Sequence, residues 1–134
     1  MSIKLIAIDI DGTLVDKEFK ITPEVKAAIT EAREQGVKIV LCTGRPFPGV
    51  KRYIKELDLD QDEDYVITYN GSLVLSTATN EVLVSHTLDY SDFVRINELA
   101  DKFNVHTHGI DNEAIYTANK DISIFTTRES FITT

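Results

Sequence analysis

The segment Ile3-Lys4-Leu5-Ile6-Ala7-Ile8-Asp9-Ile10-Asp11-Gly12-Thr13 limits the fold more than any other stretch of this chain. Leu5 to Ile8 form a short apolar run, the pattern of a strand covered on both faces in a parallel sheet. A buried first strand is therefore expected. Asp9 and Asp11 follow it, two residues apart. If the strand persists that far, its period of two aims both carboxylates to one side. Gly12 permits a turn and Thr13 adds a hydroxyl. In open α/β sheets, ligands bind at the C-terminal ends of strands. Two carboxylates crowded there repel each other, and the commonest reasons to keep them are a cation or acid–base chemistry.

The rest of the chain supplies the partners that such a strand needs. Thr22-Pro23-Glu24 opens a helix: Thr22 suits the N-cap, Pro23 the first helical position, and Glu24 the positive end of the dipole. Val25, Ala28, Ile29 and Ala32 form its apolar face, and Gly36 its C-terminal stop. Val37 to Cys42 reads as a second buried strand, completing a right-handed βαβ unit. After Thr43-Gly44-Arg45-Pro46, a second helix is expected over about 46–57, with Val50, Tyr53, Ile54 and Leu57 facing inward. The acidic run Asp58 to Asp64 reads as a solvated connector. Tyr65 to Tyr69 is a third strand, closed by Asn70-Gly71. Strands alternating with helices imply an α/β fold with a Rossmann-like, doubly wound parallel sheet.

Beyond residue 71 the pattern changes. Ser72–Leu75 and Glu81–His86 suggest a hairpin around Thr77-Ala78-Thr79-Asn80. Ser91 can cap a helix from Asp92 to Phe103, whose stripe of Phe93, Ile96, Leu99 and Phe103 is expected to be packing. Strands are expected over His106–His108 and Ala114–Thr117. A boundary near residues 84–88 divides the chain into 1–85 and 86–134.

The 134 residues suffice for a domain with a real core. Net charge is −8, which opposes a nucleic-acid partner or an anionic membrane surface. No window has the apolar length of a membrane span. Cys42 is the only cysteine, so neither an internal disulfide nor a cysteine zinc cluster can form, and the residue reads as inert core. The start of the chain has no signal-peptide pattern, so the cytoplasm is the default compartment.

Three strand ends should lie side by side, bearing Asp9/Asp11, Thr43-Gly44-Arg45 and Asn70-Gly71. Phosphoryl transfer uses such groups. A carboxylate can act as nucleophile, Mg²⁺ takes hard oxygen ligands, and hydroxyls and backbone amides hold the equatorial oxygens. A second carboxylate can protonate the leaving group and then activate water. Read blandly, Thr43 is a cap, Arg45 a surface charge and Asn70-Gly71 a tight turn. His106 and His108 lack a third ligand and read as a solvent-facing strand edge.

Asp9-Ile10-Asp11-Gly12-Thr13 resembles the D-x-D-G-T signature of the haloacid dehalogenase superfamily. Thr43-Gly44-Arg45-Pro46 and Tyr69-Asn70-Gly71 resemble the Cof-type sugar phosphatases within it. The resemblance extends over essentially the whole chain. It implies a Rossmann-like core over 1–85 and the start of an inserted α/β cap over 86–134. It implies that Asp9 is the nucleophile and a ligand of Mg²⁺, and that Asp11 is the general acid/base, with its backbone carbonyl on the metal. Ile10 would contribute a backbone amide, Thr43 and Gly44 would bind phosphoryl oxygens, and Arg45 and Asn70 would lie near the leaving group. The implied substrate is a small phosphorylated metabolite, often a sugar phosphate.

Two later motifs of that superfamily have no counterpart here: a phosphoryl-neutralising lysine and a G-D-x-x-N-D acid cluster. Gly109-Ile110-Asp111-Asn112-Glu113 has the wrong spacing, and Lys120 falls in the cap-like part. The expectation is thus the first half of a longer enzyme, with a C-terminal half or a homo-oligomer as its partner. Two other readings stand beside the hydrolase. One is a non-catalytic fragment. The other is a phosphoacceptor receiver domain, which wants its acceptor aspartate on a middle strand, where Val37–Cys42 ends without one.

Overall fold

The structure, a computed structural model, describes residues 3–111, 113–119, 121, 123 and 124. The expectations placed on Lys120 and Asn112 lie outside the described residues. Three parallel strands come first: β1 (Leu5–Ile8), β2 (Lys38–Cys42) and β3 (Tyr65–Thr68). The hairpin β4 (Leu73–Ser76) and β5 (Val82–Ser85) adds to β3 antiparallel, giving the order β1-β2-β3-β4-β5. Register pairs Ile6 with Ile39 and Ile8 with Leu41, so β1 and β2 end together.

Helix α1 (Pro23–Glu34) starts as its cap signals require. Thr22 accepts the Val25 amide at 3.4 Å, and Gly36, at φ +80°, lets the chain leave the helix. Ile29 is buried, Val25 and Ala32 are half-buried, and Ala28 stays exposed at the margin of the contact. The second helix is shorter than expected. A 3-10 turn, Phe47–Val50, precedes α2 (Lys51–Glu56), because Pro48 and Gly49 suit a tight turn better than a helix interior. Its inward set is as expected: Val50, Tyr53, Ile54 and Leu57 are all buried. They join Ile29 and the strand residues Ile39, Leu41 and Val66 in one cluster. Two right-handed crossovers that step the same way along a sheet leave both helices on the same face.

That geometry corrects the expectation of a fully buried first strand. Among the described residues β1 is an edge strand with no neighbour beyond it. Ile6 and Ile8 pack on the core, while Leu5 and Ala7, which point to the opposite face, are exposed. Apolarity alone could not distinguish a covered strand from one whose cover lies elsewhere. The acidic connector is likewise less solvated than its charges suggest. Leu59 is buried, and buried Asp64 pairs with Arg33 at 3.3 Å.

After β5 comes α3 (Tyr90–Phe103) and a two-stranded ribbon, β6 (Gly109–Ile110) and β7 (Ile115–Tyr116). Asp89, not Ser91, caps α3: its carboxylate accepts the Asp92 amide at 2.9 Å and the Ser91 hydroxyl at 2.7 Å. The strand expected at His106–His108 begins only at Gly109, and both histidines are exposed. The expected packing stripe of α3 is present but uncovered, with Leu99 at 53% and Phe103 at 68% exposure. The ribbon is too small to shield a four-turn helix.

This contrast can be measured by urea unfolding. Leu41→Ala, in the sealed cluster, should cost about 3 kcal/mol, whereas Leu99→Ala should cost under about 1 kcal/mol. Equal costs would show that the α3 stripe is covered in solution. Asp89 also yields a pH test. Hydrogen bonds from Ser91 and the Asp92 amide hold its carboxyl below the ordinary carboxylate value. A depressed acid stabilises the fold above its unfolded pKa, and that contribution is lost as pH falls through the folded one. Far-ultraviolet helicity should therefore fall on acidification below about pH 4, by a step that Asp89→Ala removes from the curve.

Candidate active site

The site begins where β1 stops. Asp9 is still extended, at φ −72° and ψ 150°, and then the backbone makes a wide turn over Ile10–Leu14. The Leu14 amide donates to the Asp9 carbonyl at 3.1 Å, and the Val15 amide to the Ile10 carbonyl at 3.2 Å. Gly12 takes the turn at φ +79°, a conformation that side-chain-bearing residues rarely adopt. Ile10, Leu14 and Val15 are buried, and anchor the loop from beneath. Asp9, Asp11 and Thr13 remain exposed above it. The Thr13 hydroxyl lies 3.5 Å from Asp9 Oδ2 as a weak donor. The strand does not persist to Asp11, so the two carboxylates owe their placement to the turn and not to strand periodicity.

The end of β2 answers this loop directly. Arg45 donates from Nε to Asp11 Oδ2 at 2.8 Å and from Nη2 to Asp11 Oδ1 at 2.5 Å, a two-pronged guanidinium–carboxylate pair. Its Nη1 donates to the Gly49 carbonyl at 3.3 Å. The guanidinium carbon sits 5.8 Å from the Phe19 ring centre and 5.4 Å from that of Tyr53, within cation–π range. Burial works against the charge of Arg45. The hydrogen bonds and charge of Asp11, then those of Tyr53, outweigh it and hold the guanidinium above its ordinary value.

Thr43 and Asn70 strap β2 to β3. The Thr43 amide donates to the Ile67 carbonyl at 3.0 Å, and the Asn70 amide returns to the Thr43 carbonyl at 3.0 Å. Thr43 is buried, and its hydroxyl accepts the Arg45 amide at 3.2 Å, which fixes the turn after β2. Tyr69, Asn70 and Gly71 all have positive φ, at +50°, +55° and +97°. Two consecutive non-glycine residues there constitute local strain. The strained turn lays the Asn70 carboxamide against Gly44: a Cβ on Gly44 would meet Asn70 Oδ1 at 2.9 Å. Burial, and then the charge of Asp111, push the Tyr69 phenol above its ordinary value.

The structure thus joins Asp11, Thr43, Gly44, Arg45 and Asn70 through direct contacts, with Asp9 and Ile10 attached by the turn. His106 and His108 are not part of this set. Three contributors escaped the sequence reading: Phe19, Gly49 and Tyr53. Phe19 did leave a signal, as the one aromatic residue in the polar connector after Thr13. Tyr53 left a weaker one, as a tyrosine on an inward helix face whose hydroxyl needs a partner.

The haloacid dehalogenase-like hydrolase family matches residues 6–133. The chain belongs to that family. The "Putative phosphatase YxeH" of Bacillus subtilis is 49% identical over 130 residues, which are 97% of this chain and 48% of the relative. A haloacid dehalogenase-like hydrolase from Bacteroides thetaiotaomicron superposes with a TM-score of 0.81 at 25% identity, over 98% of this chain and 49% of that one. A subclass IIB sugar phosphatase of the same superfamily gives a TM-score of 0.66 at 27% identity, over 84% of this chain and 42% of that one. The chain spans about half the length of these relatives.

A divalent cation is implied by this family. Asp9 and Asp11 offer hard oxygen donors, which suit Mg²⁺ in kind. They are few in number: the described residues contain no group of three His, Cys, Asp or Glu placed to hold a metal ion.

The contact between Gly44 and Asn70 makes a direct prediction. Gly44→Ala should displace the Asn70 carboxamide, seen as a shift of its side-chain amide pair in ¹⁵N–¹H spectra. The urea midpoint should move little, because an exposed carboxamide can swing away. An unmoved Asn70 resonance would contradict the contact.

Proposed function

We propose that this chain carries the nucleophile half of a Mg²⁺-dependent phosphatase that hydrolyses small phosphomonoesters, sugar phosphates among them. The observation that carries the reading is the meeting of the Asp9-x-Asp11 turn with Thr43-Gly44-Arg45 at the C-terminal ends of adjacent parallel strands. The sugar phosphatase among the similar structures supports the substrate class.

In the first step Asp9 attacks phosphorus, the bond to the leaving oxygen breaks, and Asp11 gives that oxygen a proton. In the second, Asp11 takes a proton from water, whose oxygen attacks the aspartyl-phosphate, releasing phosphate and restoring Asp9. The backbone amide of Ile10, with Thr43 and Gly44, holds the phosphoryl oxygens, and Asn70 lies beside the leaving group. Asp9 and the backbone carbonyl of Asp11 would hold the cation. When bound, Mg²⁺ supplies neutralising charge for the phosphoryl group. Residues 1–85 are read as the N-terminal part of the catalytic core and 86–134 as the beginning of the cap. No described helix is long and apolar enough to cross a membrane, and a single cysteine suits the reducing cytoplasm.

A second reading is favoured by a specific observation. Leu5, Leu99 and Phe103 are exposed, and two carboxylates make a sparse metal shell. On this reading the 134 residues form a site completed only by a further half or another subunit, and alone they are inactive.

Turnover of p-nitrophenyl phosphate, with and without EDTA, separates the two. The phosphatase reading expects EDTA-sensitive hydrolysis, reduced by about a thousandfold or more in Asp9→Asn. Undiminished turnover in that variant would overturn the role of Asp9. Absence of turnover in the unaltered chain favours the incomplete site.

A further inference from the structure

We infer that Arg45 is a positioning residue, whose buried guanidinium fixes the carboxylate of Asp11 and does not itself meet the substrate. The inference rests on the phosphatase reading for what Asp11 does, and on contacts for the rest.

The exposures of the two partners differ sharply. The Arg45 side chain is 4% exposed and that of Asp11 is 43% exposed. A phosphate ester approaching from solvent therefore meets the acid end of the pair and not the basic end. Every guanidinium nitrogen is already engaged: Nε and Nη2 by Asp11, and Nη1 by the Gly49 carbonyl. Phe19 and Tyr53 lie against the guanidinium, and Tyr53 is itself locked in place. It is 1% exposed and its hydroxyl donates to the Phe19 carbonyl at 3.3 Å. A group held by two rings, a backbone carbonyl and a carboxylate has little freedom to turn toward a ligand.

The same contacts set what Asp11 can do. A carboxylate has about four lone-pair sites, and a two-pronged guanidinium uses two of them. The remaining sites lie on the open side of Asp11. The pair fixes the carboxylate plane and leaves the outward lone pairs for proton transfer, where misorientation is costly. Lysine cannot reproduce this, because an ammonium presents no planar fork.

Two readouts on the 134-residue chain test the inference. The first needs no activity. A paired Arg45 should show a downfield, slowly exchanging Nε–H resonance in ¹⁵N–¹H spectra, lost in Asp11→Ala. Persistence of that protected resonance in Asp11→Ala overturns the inference. The second is a kinetic cycle with p-nitrophenyl phosphate. Arg45→Lys should lower kcat roughly 10- to 100-fold and leave KM within about twofold. On an Asp11→Asn background it should cost nothing further. A large rise in KM at unchanged kcat, or a full penalty in both backgrounds, would show that Arg45 touches substrate and would overturn the inference. Absence of turnover with the Nε–H signature intact counts against activity of this chain, and not against the clamp.

Discussion

The ion pair between Arg45 and Asp11 is the contact on which the arrangement of the site depends. It joins the loop after β1 to the loop after β2, two segments far apart in sequence. Burying a guanidinium is costly unless its hydrogen bonds are met. Here Asp11 and Gly49 meet them, and the Phe19 and Tyr53 rings favour the charge. Loss of Asp11 would leave a buried cation without its counter-charge, so this aspartate bears on local order. The pair also explains why Asp11, exposed on a glycine-containing turn, can hold a defined orientation.

The remaining geometry follows from how the strands end. β1 and β2 stop in register, and β3 runs parallel beside them, so three loops emerge on one edge of the sheet. Each loop carries a special backbone position. Gly12 turns the first at positive φ, Gly44 admits the Asn70 carboxamide in the second, and Tyr69–Asn70–Gly71 turn left-handed in the third. Such strain persists only where surrounding contacts determine it, and the straps between Thr43, Ile67 and Asn70 are those contacts.

Much of this was legible in the sequence, for physical reasons. Local signals worked where local physics decides. Thr22-Pro23 marked the start of α1, the inward set Val50, Tyr53, Ile54 and Leu57 marked the second helix, and Gly12 marked the turn after β1. The reading failed where the outcome depends on what lies opposite. Leu5 to Ile8 read as covered because hydrophobicity does not report whether a covering layer is present. The stripe on α3 read as packing for the same reason. The direction in which Arg45 points was also beyond the sequence, since it depends on Phe19 and Tyr53 meeting from distant segments.

The loop after β1, its clamp to Arg45 and the backbone straps between β2 and β3 all lie within the described residues, which hold no group of three His, Cys, Asp or Glu placed to bind a metal ion and leave Leu5, Leu99 and Phe103 exposed. The central claim is that Asp9 is the carboxylate that accepts the phosphoryl group. Borohydride reduction during p-nitrophenyl phosphate turnover tests it most directly, because it converts an aspartyl-phosphate to homoserine that peptide mass spectrometry can locate. The account predicts homoserine at position 9. Homoserine at position 11 or another acidic residue, with Asp9 intact, would contradict it.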